Sequence, residues 1–144
     1  MSKCRRNIFL IFGYLLIMLV IVCLIFCSKS NVQHFEQSIK YVNQATRILN
    51  SGESYEFINP DDMDAIVKLK KKALAEARLV DIEDLNRHYP DFGNHYRDEF
   101  IKGLELFIEG FEKDDTIKLV AGQMLDENWG VWYEENVDAI RRRL

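Results

Sequence analysis

Apolar positions are arranged in two different ways along this chain, and the change falls near residue 28. Residues 8–27 read IFLIFGYLLIMLVIVCLIFC, twenty positions without a charge. About 20 apolar residues at 1.5 Å rise each match the roughly 30 Å hydrocarbon core of a bilayer. The run predicts a transmembrane anchor over residues 8–27, behind a head of residues 1–7. Beyond it, apolar residues return at helical spacing between polar ones, the pattern of helices that bury one face.

The first amphipathic stretch covers residues 31–50. Val32, Phe35, Ile39, Val42, Thr46 and Leu49 recur at alternating steps of three and four. This heptad-like stripe also suits a homodimer seam through Val32, Phe35, Ile39, Val42 and Leu49. Ser51-Gly52 stops the helix, so residues 28–52 read as a juxtamembrane stalk that joins the bundle. Residues 53–59 read as a connector, in which Tyr55, Phe57 and Ile58 alternate.

Residues 53–144 supply the remaining helices. Asn59 or Asp61 caps a helix with Pro60 in its first turn, burying Met63, Ile66, Val67, Ala73, Leu74, Ala77 and Val80. Lys68, Lys70, Lys71 and Lys72 then form a solvated basic face. Asp81 caps a short helix that ends before Pro90. Asp91 restarts the chain, and Phe92, Tyr96, Phe100, Leu104, Phe107 and Phe111 mark one helical face. Gly103 and Gly110 lie on nearly the same face, where a closely packed neighbour would compensate the roughly 1 kcal/mol that a helical glycine costs against alanine. Asp114-Asp115 caps the last helix. Its apolar side reads Ile117, Val120, Ala121, Met124, Leu125, Trp129, Trp132, Val137 and Ile140, and Arg141 to Arg143 suit its C-terminal dipole. The predicted class is all-α: one N-terminal transmembrane helix, then an antiparallel bundle of four main helices and one short one.

Charge sets the topology. Lys3, Arg5 and Arg6 precede the apolar run and only Lys29 closely follows it. The positive-inside rule then keeps residues 1–7 cytoplasmic and sends the C-terminal domain across, into the periplasm in a bacterium. Seven residues carry no output domain, which argues against inward signalling through this chain alone. A cleaved signal peptide is the competing reading, with Ser28-Lys29-Ser30 as a poor cleavage site and an apolar core longer than such peptides carry. Bulky Phe26 before Cys27 disfavours lipoprotein acylation. All 23 acidic residues and 15 of the 19 basic ones follow residue 30, a domain charge of −8. Such a domain repels phosphate backbones, so nucleic acid is excluded as the expected partner. Cys4, Cys23 and Cys27 all precede residue 28, so the polar domain has no disulfide and no thiolate chemistry.

Two polar clusters carry candidate chemistry. His88, Asp91, His95 and Glu99 flank the Pro90 break, and divalent metals take such ligands. Their spacing matches no sharp motif, so the expectation is no metal and no cofactor, with Asp91 as a cap and an exposed His95–Glu99 pair. The second cluster, Asp126 to Asn136, joins Trp129, Trp132 and Tyr133 to four carboxylates. Core packing competes there with a partner-binding surface of Trp129, Trp132, Tyr133, Glu134 and Glu135. Gly130 would let a second backbone approach between the tryptophans. A glycan-cleaving carboxylate pair is a third possibility. Metalloprotease, phosphate-loop and serine-hydrolase motifs are absent. The expected function is therefore a non-enzymatic, membrane-anchored module outside the cytoplasm that binds another protein, as an accessory subunit or inhibitor-type partner. A homodimeric ligand-sensing bundle is the alternative, and a metal-dependent or glycan-cleaving enzyme is a weaker one.

Overall fold

The computed structural model describes residues 30–51 and 59–143. The predicted head, the anchor over residues 8–27, the cysteines and nearly all of the connector lie outside the described residues. Among the described residues there is no strand, and no helix is long and apolar enough to cross a membrane. The elements are α1 (Asn31–Ser51), α2 (Pro60–Ala77), α3 (Ile82–His88), α4 (Phe92–His95), a π-helical segment (Tyr96–Ile101), α5 (Lys102–Glu112) and α6 (Thr116–Arg141). The stretch from α4 through the π segment to α5 runs without a break, so these elements make five helical rods.

Short-range chemistry starts three of the rods. The Asn59 side chain accepts from the Asp61 N–H at 3.0 Å, with Pro60 in the first turn of α2. Asp81 accepts from Glu83 and Asp84 N–H at the start of α3, and Asp115 accepts from Ile117 and Lys118 N–H at the start of α6. The expected cap at Asp91 does not form. Asp91 sits at φ 60 without a side-chain cap bond, a left-handed geometry that aspartate tolerates. The Asn86 side chain on α3 takes its place, accepting from the Gly93 N–H at 2.8 Å. Gly93 abuts the Ile82 carbonyl so closely that any Cβ would overlap it.

The π segment solves a problem of phase. Phe92, Tyr96, Phe100 and Leu104 are spaced four apart, and all four are buried. At 3.6 residues per turn, each four-residue step drifts about 40°, so the four would spiral off one face of a straight α-helix. A π turn closes i→i+5 bonds and takes more residues per turn, winding the face back. The buried register then continues to Ile108, while Phe107 and Phe111, expected on this face, are only half-buried.

Helix α1 packs antiparallel to α2. The Asn31 side chain donates to the Asp81 carbonyl and accepts from the Asp81 N–H, and His34 pairs with Glu76 at 2.7 Å. Its inward face is Phe35, Ser38, Val42 and Ala45, so Thr46 of the expected stripe is exposed. Ser38 Oγ donates to the Phe35 carbonyl and so accepts from the buried Tyr96 hydroxyl at 2.7 Å. On α2 the expected apolar face is largely inward, but Lys70 of the basic run also turns in. It ion-pairs with Asp126 at 2.8 Å and lies over the Phe107 ring. Lys71 reaches Glu112 and Arg78 reaches Glu105, setting α2 antiparallel to α5.

Glycines bring α5 and α6 together. A Cβ on Gly122 would sit 2.5 Å from the Phe107 backbone nitrogen and 2.8 Å from the Gly103 carbonyl. One on Gly110 would sit 2.6 Å from the Leu119 nitrogen. The expected close neighbour at Gly103 and Gly110 is therefore α6. Gly130 has nothing within 4 Å of where its Cβ would be, so the expected backbone approach there does not occur. Gly122→Ala is expected to cost about 1–3 kcal/mol by overpacking. Gly130→Ala is expected to stabilise by up to about 1 kcal/mol. Thermal melts of the two variants should shift in opposite directions.

At the α5–α6 corner, Glu109 receives bonds from Lys113 at 2.7 Å and Lys118 at 2.5 Å. They lower its carboxyl from 4.5 to about 2. A depressed acid contributes stability above its unfolded value and loses it as pH falls toward the folded one. Glu109→Gln should therefore flatten the acid side of a stability-against-pH curve between about pH 4.5 and 2.

Candidate functional site

Of the two readings of the Asp126–Asn136 cluster, Trp129 and its neighbours follow core packing. Trp129 is 4% exposed. It stacks on Phe92 at 6.2 Å and on Tyr133 at 5.2 Å, and lies 5.5 Å from both Tyr96 and Phe100. Phe35 of α1 closes the other side, 5.1 Å from Phe92 and 5.3 Å from Tyr96 in edge contacts. Offset and edge arrangements like these add about 0.5–1.5 kcal/mol per pair beyond area burial. Trp132 and Tyr133 are half-buried against this cluster, leaving only Glu134 and Glu135 of the expected surface fully exposed. The cause is plain: large rings three and four apart on one helix share a face, and that face points to α1 and the π segment.

The stripe read as a dimer seam is also used within the chain. Phe35 and Val42 are buried and Ile39 packs against the core. Val32 and Leu49 are half-buried, so the seam is not open as a continuous surface.

The four metal candidates do not converge. The His88 ring nitrogen donates to the Arg143 carbonyl at 3.0 Å. Asp91 accepts from the Asn94 side chain. His95 pairs with Glu99 at 3.1 Å while its ring lies flat on Trp132, centroids 4.2 Å apart. The other Glu99 oxygen is buried without a hydrogen-bond partner among the described residues. Among those residues no three His, Cys, Asp or Glu side chains are grouped to hold a metal ion. The carboxylates near Trp129 are separated in role as well: Asp126 is taken by Lys70, and Glu127 receives the Gln123 amide.

Three residues expected on the buried side of the last helix are exposed, together with Val131. Ile117 is 83% exposed, Val120 51%, Met124 58% and Val131 60%. At 100° per residue these four fall within about 60° of one another on α6, nearly opposite Gly122, Trp129 and Ile140. Glu127, Glu134, Glu135 and Asp138 flank or extend the stripe toward the C-terminus, all exposed. Among the described residues no lysine or arginine lies within ion-pair distance of these four carboxylates. The sequence signal that separates the two faces was Gly122: it fixes which side of α6 meets α5, and hence which side is left outside. No protein-family model, curated protein or solved structure matches this chain, so its function is read from this geometry.

The inner and outer faces of α6 should respond differently to truncation. Trp129→Ala is expected to cost about 3–5 kcal/mol, as large core truncations do. Met124→Ala is expected to stay within about 0.5 kcal/mol of the parent, as exposed substitutions do. Denaturant unfolding of both variants measures the contrast.

Proposed function

We propose that this chain is a membrane-anchored, non-enzymatic helical module that binds another protein through the outer face of α6. Residues 8–27 hold it in the bilayer, the head of residues 1–7 faces the cytoplasm, and the helical domain stands on the other side. The observation that carries the binding role is the stripe of Ile117, Val120, Met124 and Val131, exposed beside carboxylates that have no ion pair among the described residues. Apolar side chains rimmed by charge are the usual make-up of a protein contact. The partner it fits offers an apolar groove with lysine or arginine along one edge. Opposite charge speeds that encounter and rejects wrong partners.

A second reading has its own support. The stripe is balanced about Met124, with Ile117 and Val131 each seven residues away. An antiparallel second copy would set Ile117 against Val131 and Met124 against itself, as an isologous contact requires. Self-association through α6 then replaces the seam expected on α1.

A photo-crosslinking residue at position 120 of the full chain, in its native membrane, tests both. The expected result is one dominant protein adduct, lost in Met124→Glu and absent when the probe sits at Lys68 on α2. Adducts only to the chain itself would favour the second reading. Equal labelling from positions 120 and 68 would remove the α6 face as a contact surface.

A further inference from the structure

Eight of the fifteen lysines and arginines that follow residue 30 have a carboxylate partner among the described residues. Lys70, Lys71, Arg78, Arg87, Arg97, Lys102, Lys113 and Lys118 are each ion-paired. A groove of about 380 Å³ between α1 and the C-terminal part of α6 gathers three of the other seven. Lys40 and Arg47 line it from α1 and Arg141 from α6, with Glu36 as its one carboxylate. Among the described residues none of the three cations has an ion pair.

We infer that this groove binds a phosphate-bearing ligand. Three cations against one carboxylate leave a net charge of about +2, inside a domain that is otherwise strongly acidic. A phosphate ester carries up to about two negative charges and three acceptor oxygens near neutral pH, a closer match than a lone carboxylate. The two guanidinium forks suit adjacent phosphate oxygens, and the lysine acts as a mobile point charge. Lys40 and Arg47 are seven residues apart, about 10.5 Å along one side of α1, a span that two long side chains close over one phosphate. Tyr133 adds a phenol hydroxyl, whose pKa burial raises. Ile39 and the edge of Phe35 offer an apolar wall for the organic part of the ligand. Two sources share this chemistry: a soluble phosphoester and a phospholipid headgroup.

The test uses the full chain in phosphate-free maltoside micelles, titrated by calorimetry with inorganic phosphate and, separately, with phosphatidylglycerol. Saturable binding of inorganic phosphate identifies a soluble phosphate ligand. Binding of phosphatidylglycerol alone identifies a lipid headgroup. In either case Arg47→Gln with Arg141→Gln should weaken the binding at least about tenfold, roughly 1.4 kcal/mol. Lys40→Gln alone should weaken it less, and both variants should keep the parent melting midpoint. Saturable binding of neither probe overturns the proposal, as does binding that the double variant retains.

Discussion

Phe92, Tyr96, Phe100 and Leu104 must all face one point for this bundle to have its core, and an unbroken α-helix does not present residues spaced four apart in that way. The π segment from Tyr96 to Ile101 removes the accumulated drift. Much of the packing depends on that local change of winding. It brings Phe92, Tyr96 and Phe100 against Trp129 from one side, and sets Phe92 and Tyr96 against Phe35 from the other. It also buries the Tyr96 hydroxyl, which finds its partner in Ser38 of α1. A small polar residue on the inward face of α1 is thereby explained, since a buried hydroxyl without a partner costs about 1–3 kcal/mol.

A second constraint acts through α6. Gly103, Gly110 and Gly122 let α5 and α6 approach until backbone meets backbone. That contact fixes the rotation of α6 about its own axis. Trp129 and Ile140 are carried inward with Gly122, and Ile117, Val120, Met124 and Val131 are carried outward. The partner-binding proposal follows from this rotation: one helix has two apolar faces, and the bundle uses only one.

What could be read from the sequence follows the range of the interaction. Caps at Asn59, Asp81 and Asp115 were legible because each needs only a side-chain oxygen and the next two or three N–H groups. The all-helical class was legible from periodicity, and so was the close neighbour of Gly103 and Gly110. The Asp91 cap failed because Asn86, on a different helix, competes for the same N–H groups. Lys70 was read as solvated because its run of lysines hides the one whose partners, Asp126 and Phe107, are more than 30 residues away. The sequence pattern puts Ile117, Val120 and Met124 on one apolar side with Trp129, and the structure separates them for a related reason. Ile117 and Trp129 are equally apolar, and only the glycine crossing, set by tertiary contact, says which one packs. The metal quartet was suggested by adjacency in sequence, whereas His88 and Asp91 turn to Arg143 and Asn94, leaving His95 and Glu99 as a separate pair against Trp132.

The inward rotation of α6 is the claim on which the fold and the proposed contact face both rest. The chain has two tryptophans, so Trp132→Phe leaves Trp129 as the single reporter. Acrylamide quenching and the emission maximum of that variant measure the exposure of Trp129 directly. Short-wavelength emission with little quenching is the result expected for a ring enclosed by Phe92, Tyr96, Phe100 and Tyr133. Long-wavelength emission, quenched as freely as a tryptophan in water, would contradict the core and the assignment of the outer face together.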